Sequence, residues 1–193
     1  MRFIVALAGL VLLVAGAEVE AQAPPSADDQ IAAAVQAAPE PMRDDATVYG
    51  HDSDMELTTL REGDGLLICL ADDPTEEDFH VACYHESLDA FMERGRELQR
   101  QGHDRATVDS LRRAEIEDGS MAFPEGPTAL YNVSGPADAC DADADTVRNG
   151  SALHVVFVPY ATAESTGLPT RPDGDEPWLM DPGEPWAHVM IPR

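Results

Sequence analysis

Tyr160, Thr162, Glu164, Ser165 and Thr166 follow directly on the strongest β-forming run of the chain, Leu153–Val158. Asp181, Trp186 and His188 lie on or just before its last apolar run. If those two runs pair as strands, His188 comes near Glu164 or Ser165. That grouping supplies the nucleophile, base and orienting group that hydrolysis needs. One reading is therefore a small secreted hydrolase with Ser165, Glu164 and His188 as its catalytic candidates. The chain has no Gly-x-Ser-x-Gly elbow to support it. The other reading makes Tyr160 and Trp186, set among prolines, an aromatic surface that binds a ligand.

Three further sets have the right residue types but the wrong spacing. His85 and Asp89 stand four apart, as two metal ligands on one helical face would. The second should be histidine, and Ser87 is placed to cap a helix that begins after His85. Cys69, His80, Cys83 and His85 are zinc-binding types, but no close cysteine pair is present. Asp141, Asp143 and Asp145 alternate like the start of a calcium loop. Thr146 stands where that loop needs glycine and Ala152 where it needs glutamate, which leaves at most a weak divalent-cation site. No cofactor and no firm metal site are expected.

These residues need a scaffold, and the hydrophobic pattern describes one. Ser26 caps a short helix with Ile31, Ala34, Val35 and Ala38 on one face, ended by Pro39 and Pro41. Thr47–Tyr49, Leu57–Leu60, Leu66–Leu70 and Phe79–Tyr84 read as short strands of an antiparallel meander. A helix follows from Ser87 to the stop at Gly102, with Leu88, Phe91, Gly95 and Leu98 along one face. Asp104 caps a second helix that runs to Asp118. Thr128–Val133, Leu153–Val158 and Trp186–Ile191 are the later strands, and Gly135–Gly150 is a polar loop. The sum is an α+β fold: one domain, an antiparallel sheet with two or three helices packed on one face. Residues 45–193 form the globular domain, and residues 22–44 are a linker with the short helix.

The beginning of the chain carries an address. Arg2 precedes an uncharged apolar run from Phe3 to Ala17, and small residues follow. This is the layout of a signal peptide, here residues 1–21, with cleavage expected after Ala21. The run is shorter than the roughly 20 residues that span a bilayer, so no stable membrane anchor is expected after cleavage. The protein is expected to pass the inner membrane into the periplasm or the medium.

The mature part keeps an extreme charge. Across all 193 residues, 37 acids face 12 bases, every one of them arginine, for a formal net charge of −25. Such a chain repels phosphate backbones and anionic membranes, so nucleic acid is excluded as a partner. A small molecule, a protein or a cation remains open. Export also permits disulfides. Of the three cysteines, Cys69 and Cys83 bracket one apolar-flanked segment and are the expected pair. Cys140 lies in an acidic loop, either as the odd thiol or as a partner to one of the other two.

Several segments together resemble a group of uncharacterised exported bacterial proteins. They are Asp45–Tyr49, Leu60–Gly63, Gly65–Leu70, Cys83–His85, Tyr160–Pro169 and Pro185–His188. The resemblance implies a secreted globular protein and carries no activity with it. A binding or structural role is the expectation.

Overall fold

Two extended runs separated by a five-residue turn start the sheet of this protein. The computed structural model describes residues 23–141 and 146–193. The expected signal peptide and the middle of the Asp141–Asp145 loop lie outside those residues. β1 (Thr47–His51) turns back through Asp52–Glu56 into β2 (Leu57–Arg61). Asp52 organises the turn, its Oδ1 accepting from the N–H groups of Asp54 at 2.9 Å and Glu56 at 3.1 Å. β3 (Leu67–Leu70) and β4 (Phe79–His85) follow.

The order of these strands differs from a meander. β3 does not lie beside β2; it enters on the other side of β1 and runs parallel to it, giving the order β2-β1-β3-β4. The physical reason is a close backbone crossing. The connection from β2 passes the start of β1 through Gly63 and Gly65, where a Cβ would stand 2.2 Å and 2.7 Å from the Asp45 carbonyl oxygen. Gly65 N–H donates to that oxygen at 2.7 Å. Side chains at either glycine would push the crossing apart and leave β2 and β3 to pair directly.

The rest of the sheet is antiparallel. β5 (Thr128–Gly135), β8 (Ser151–Phe157), β10 (His188–Pro192) and β9 (Trp178–Met180) complete the order β4-β5-β8-β10-β9. β6 (Cys140–Asp141) and β7 (Thr146–Val147) form a small separate ribbon within the stretch read as a polar loop. An eight-stranded, mostly antiparallel sheet with helices in a single domain is the α+β architecture read from the pattern. The last strand begins at His188, and β9 is a strand the pattern did not disclose.

Strand alternation sorts the side chains between two layers. Val48, Leu67, Cys69, Phe79, Val81 and Cys83 face α1 (Ala27–Ala34) and the 3-10 turn after it. The buried Gln30 amide holds α1 to the end of β1. Its Nε2 donates to the His51 carbonyl at 2.9 Å, and its Oε1 accepts from the His51 N–H at 2.7 Å. Cys69 and Cys83 are direct cross-strand partners and are joined by a disulfide on this buried face. Cys140 stands outside that bond.

The opposite layer carries α2 (Asp89–Arg100) and α3 (Arg105–Glu117), so two helices share one face and α1 covers the reverse. Phe91 from α2 meets Phe123, Phe157 and Trp186 with ring centroids 5.0, 6.4 and 5.7 Å away. The Arg112 guanidinium of α3 lies 3.9 Å from the Phe91 ring centroid. Gly95 makes room for it, since a Cβ there would sit 2.9 Å from Arg112 Nη1. Arg94 clamps the helices from outside through Glu115, with bonds of 2.7–3.0 Å. Among the described residues no helix is long and apolar enough to cross a membrane.

Candidate functional site

The set at the end of the chain does not assemble as a catalytic group. Ser165 sits in α4 (Ala163–Thr166), a single turn with a reciprocal capping box. Its Oγ accepts from the Thr162 N–H at 2.9 Å and donates to the Thr162 carbonyl at 3.1 Å. The hydroxyl is thus spent on backbone at the helix start, where the Thr162 N–H would otherwise be an orphan donor. Glu164 lies exposed in the first turn of α4, where the positive end of a helix favours an acid. His188 lies on β10 against Phe157, with its Nδ1 2.8 Å from the Trp186 carbonyl. A carbonyl only accepts, so this nitrogen carries the proton. Among the described residues no hydrogen bond joins His188 to Ser165 or Glu164.

The two aromatic candidates separate as well. Trp186 is 4% exposed and belongs to the aromatic core, with Arg112 and Arg113 each 5.7 Å from its ring. No face is left for a ligand, which corrects the expectation of a binding surface there. Tyr160 remains 56% exposed, on backbone at φ +58°, and its N–H donates to the Glu184 carbonyl at 2.9 Å. Arg113 pairs with Glu184 at 2.5 Å and ties this strap to α3.

The metal-like sets disperse for plain geometric reasons. The Cys69 and Cys83 thiols are consumed by the disulfide. His80 is three residues from Cys83 on the same strand and therefore points to the other face. His85 precedes the helix; its Nδ1 accepts from the Ser87 N–H at 3.2 Å and caps the 3-10 turn Glu86–Leu88. Asp89 accepts from the Tyr84 hydroxyl at 2.8 Å. Among the described residues no group of His, Cys, Asp or Glu is arranged to hold a metal ion.

A groove lies at the other end of the sheet. α2 and α3 pack over β4, β5, β8, β10 and Ile68 of β3, and leave β1, β2 and the end of β3 only partly covered. The partly covered strands floor this groove of about 790 Å³ between α2 and the turns after β1 and β3. Its size is that of a small-ligand site. Tyr49, Leu70 and Ala82 form an apolar floor, since they alternate with Val48, Cys69 and Cys83 on the other side. Met55 enters from the turn between β1 and β2. It holds φ +64°, a conformation that glycine adopts freely and a branched carbon resists.

The walls are charged. Glu56, Asp72, Asp73, Glu76 and Asp78 stand along the loop side. On the helix side Asp89 and Glu93 face inward with Arg96 and Arg100, and Arg96 Nη2 lies 3.9 Å from Asp89. The balance of the lining is strongly negative. Burial pushes the Asp72 carboxyl above its ordinary range, against the bond its Oδ1 accepts from the His80 N–H at 2.7 Å. Asp73 feels burial too, but the Thr75 hydroxyl and N–H, at 2.7 Å and 2.9 Å, hold it below that range. Burial also raises the Tyr49 phenol, with the Asp89 charge adding to it. His51 Nδ1 is shielded from solvent in the same groove and has no hydrogen-bond partner among the described residues.

Sequence reasoning missed this site because five separate elements build it. One signal was present: Asp89, Glu93, Arg96 and Arg100 recur at helical spacing on α2, opposite the buried Phe91–Leu98 face. Compared with protein-family models, with curated proteins and with solved structures, the chain matches none of them.

Proposed function

We propose that this is an exported binding protein whose groove between α2 and β1–β3 takes a ligand with an apolar body and a positive charge. The observation that carries the reading is an apolar sheet floor left only partly covered beneath a rim of carboxylates. A cation gains from that rim without the desolvation that a buried ion pair would cost. Tyr49 offers a ring face for a cationic group, and Met55 a soft, adaptable contact for the apolar body. The strained backbone at Met55 supports the reading, because glycine would serve the turn alone. Export is supported by the leader pattern at Arg2–Ala17 and by the buried disulfide, which suits an oxidising compartment.

Isothermal titration with phenylethylammonium and with the size-matched anion 3-phenylpropionate tests the ligand class. The ammonium ion is expected to bind, and more weakly as salt is added. The double variant Glu76→Gln/Asp78→Asn, altered only at exposed carboxylates, should weaken it at least fivefold, and Ser165→Ala should leave it unchanged. Equal binding of the anion, or indifference to the groove variant, overturns the proposal.

A further inference from the structure

The sheet ends at β2, and nothing among the described residues pairs with its outer edge. Edge strands are ordinarily guarded by charges, prolines, bulges or covering segments. β2 reads Leu-Thr-Thr-Leu-Arg, with no proline and one charge, and its register with β1 shifts only at Leu60, which leaves Leu57–Thr59 regularly paired. That charge does not guard the edge. Arg61 is turned inward, its Nε donating to the Ala46 carbonyl at 3.0 Å and its Nη2 to the Arg43 carbonyl at 2.5 Å. Leu57, Thr58 and Thr59 are exposed, Leu57 at 39%, and Leu60 is half-buried.

The opposite edge shows what a closed edge looks like in the same sheet. β9 has three residues, Pro177 precedes it, and the Leu179 N–H is taken by the Pro169 carbonyl at 2.8 Å. One edge is stopped and the other left open.

The open edge borders the acidic groove. Leu57 and Thr59 pair with His51 and Tyr49, so all four project to the groove side of the sheet. A strand added to β2 would place every second side chain on that side as well. Those side chains would lie beside Glu56 and point over the groove whose far rim carries Asp72, Asp73, Glu76 and Asp78.

We infer that the ligand is an extended peptide segment that adds to β2 as a further strand and carries a basic residue at every second position, over the groove. This inference rests on the groove being a binding site. Main-chain pairing would supply affinity and the acidic rim the choice of sequence. Five residues of β2 span about 17 Å, so a peptide of about seven residues covers the edge.

The test uses residues 22–193 and the peptide acetyl-Lys-Thr-Lys-Val-Lys-Thr-Lys-amide, with three controls. One control replaces Lys by Glu; the other two are N-methylated at alternate residues in the two possible phases. Titration should show binding by the basic peptide, loss of at least tenfold for the acidic one, and loss of at least tenfold for one N-methylated phase only. Glu76→Gln/Asp78→Asn should weaken the basic peptide several-fold. Equal binding of all four peptides overturns the inference. So does a dimer in sedimentation velocity with no peptide binding, which would assign the edge to a second copy. If phenylethylammonium binds and the peptide does not, the strand inference falls and the groove reading stands. If neither binds, both fall.

Discussion

The two ends of this sheet carry the same materials, exposed carboxylates, a histidine and an aromatic ring, and arrange them to opposite purpose. At the β9 end the strap from Tyr160 to Pro185 closes over the edge. Ala161, Leu179 and Ala187 form a small buried cluster beneath it, with Leu179 at 0% exposure. Its polar residues are spent on the backbone: Ser165 on Thr162, His188 on Trp186. At the β2 end the floor is only partly covered, the carboxylates face a hollow, and the edge strand has no outer neighbour among the described residues. Residues clustered in sequence made the covered end look like a site. Residues gathered from separate elements line the groove at the open end, where the proposed site lies.

Four substitutions sharpen that contrast, and the largest effect belongs to the covered half. Phe91→Ala removes the ring at the centre of the aromatic cluster and the surface beneath Arg112. A loss of about 3–5 kcal/mol is expected in denaturant unfolding, the usual cost of emptying a large core site. A loss under about 1 kcal/mol would mean that α2 is not anchored there. Next comes the disulfide. Cys69→Ala/Cys83→Ala should cost about 3 kcal/mol, as expected for opening a loop of about 15 residues. Because the bond lies on the α1 face, ammonium affinity in the groove should not change while the protein stays folded. A large affinity change would couple the two faces.

Met55→Gly turns the comparison into a trade. Glycine relieves the positive φ, so stability should rise by up to about 1 kcal/mol, offset in part by the freer unfolded chain. Affinity for the groove probe should fall, because the thioether no longer lines the site. A variant that is destabilised, or one that binds more tightly, would show that Met55 serves the turn and not the groove. Tm and titration on the same sample decide between these.

The smallest effect is a matter of pH. Burial raises the folded Asp72 value above its unfolded one. The folded protein therefore holds this proton where the unfolded chain has released it. The group's contribution to stability is present below the unfolded value and is lost as pH rises through the raised folded value. Asp72→Asn should therefore increase Tm slightly at neutral pH, and the gain should vanish near about pH 3, where both forms are protonated. Asp73 has the opposite sign, its contribution being lost as pH falls through its lowered value. A Tm gain for Asp72→Asn that is the same at both pH values would remove titration as its cause.

How much of this was legible follows from how local each feature is. The caps at Ser26 and Asp104 and the stops at Gly102 and Gly119 depend on a few neighbouring residues, and the helices they bound appear in place. The Cys69–Cys83 bond was legible because both cysteines sit on β-forming runs joined by a short connection. The placement of β3 beside β1 was not, since it turns on Gly63 and Gly65 passing close over the Asp45 backbone. Trp186 looked like a surface ring because it stands among prolines; Phe91, Arg112 and Arg113, distant in the chain, bury it. The groove was hidden because its lining comes from three stretches, Tyr49–Thr59, Leu70–Ala82 and Asp89–Arg100, that only the fold brings together.

The most direct test of the central claim is a map of amide chemical shifts as phenylethylammonium is added to residues 22–193. The account predicts shifts gathered at Tyr49, His51, Met55, Leu70, Ala82 and Glu93, with Tyr160, Glu164, Ser165 and His188 unmoved. Shifts gathered at the second set and absent from the first would contradict it.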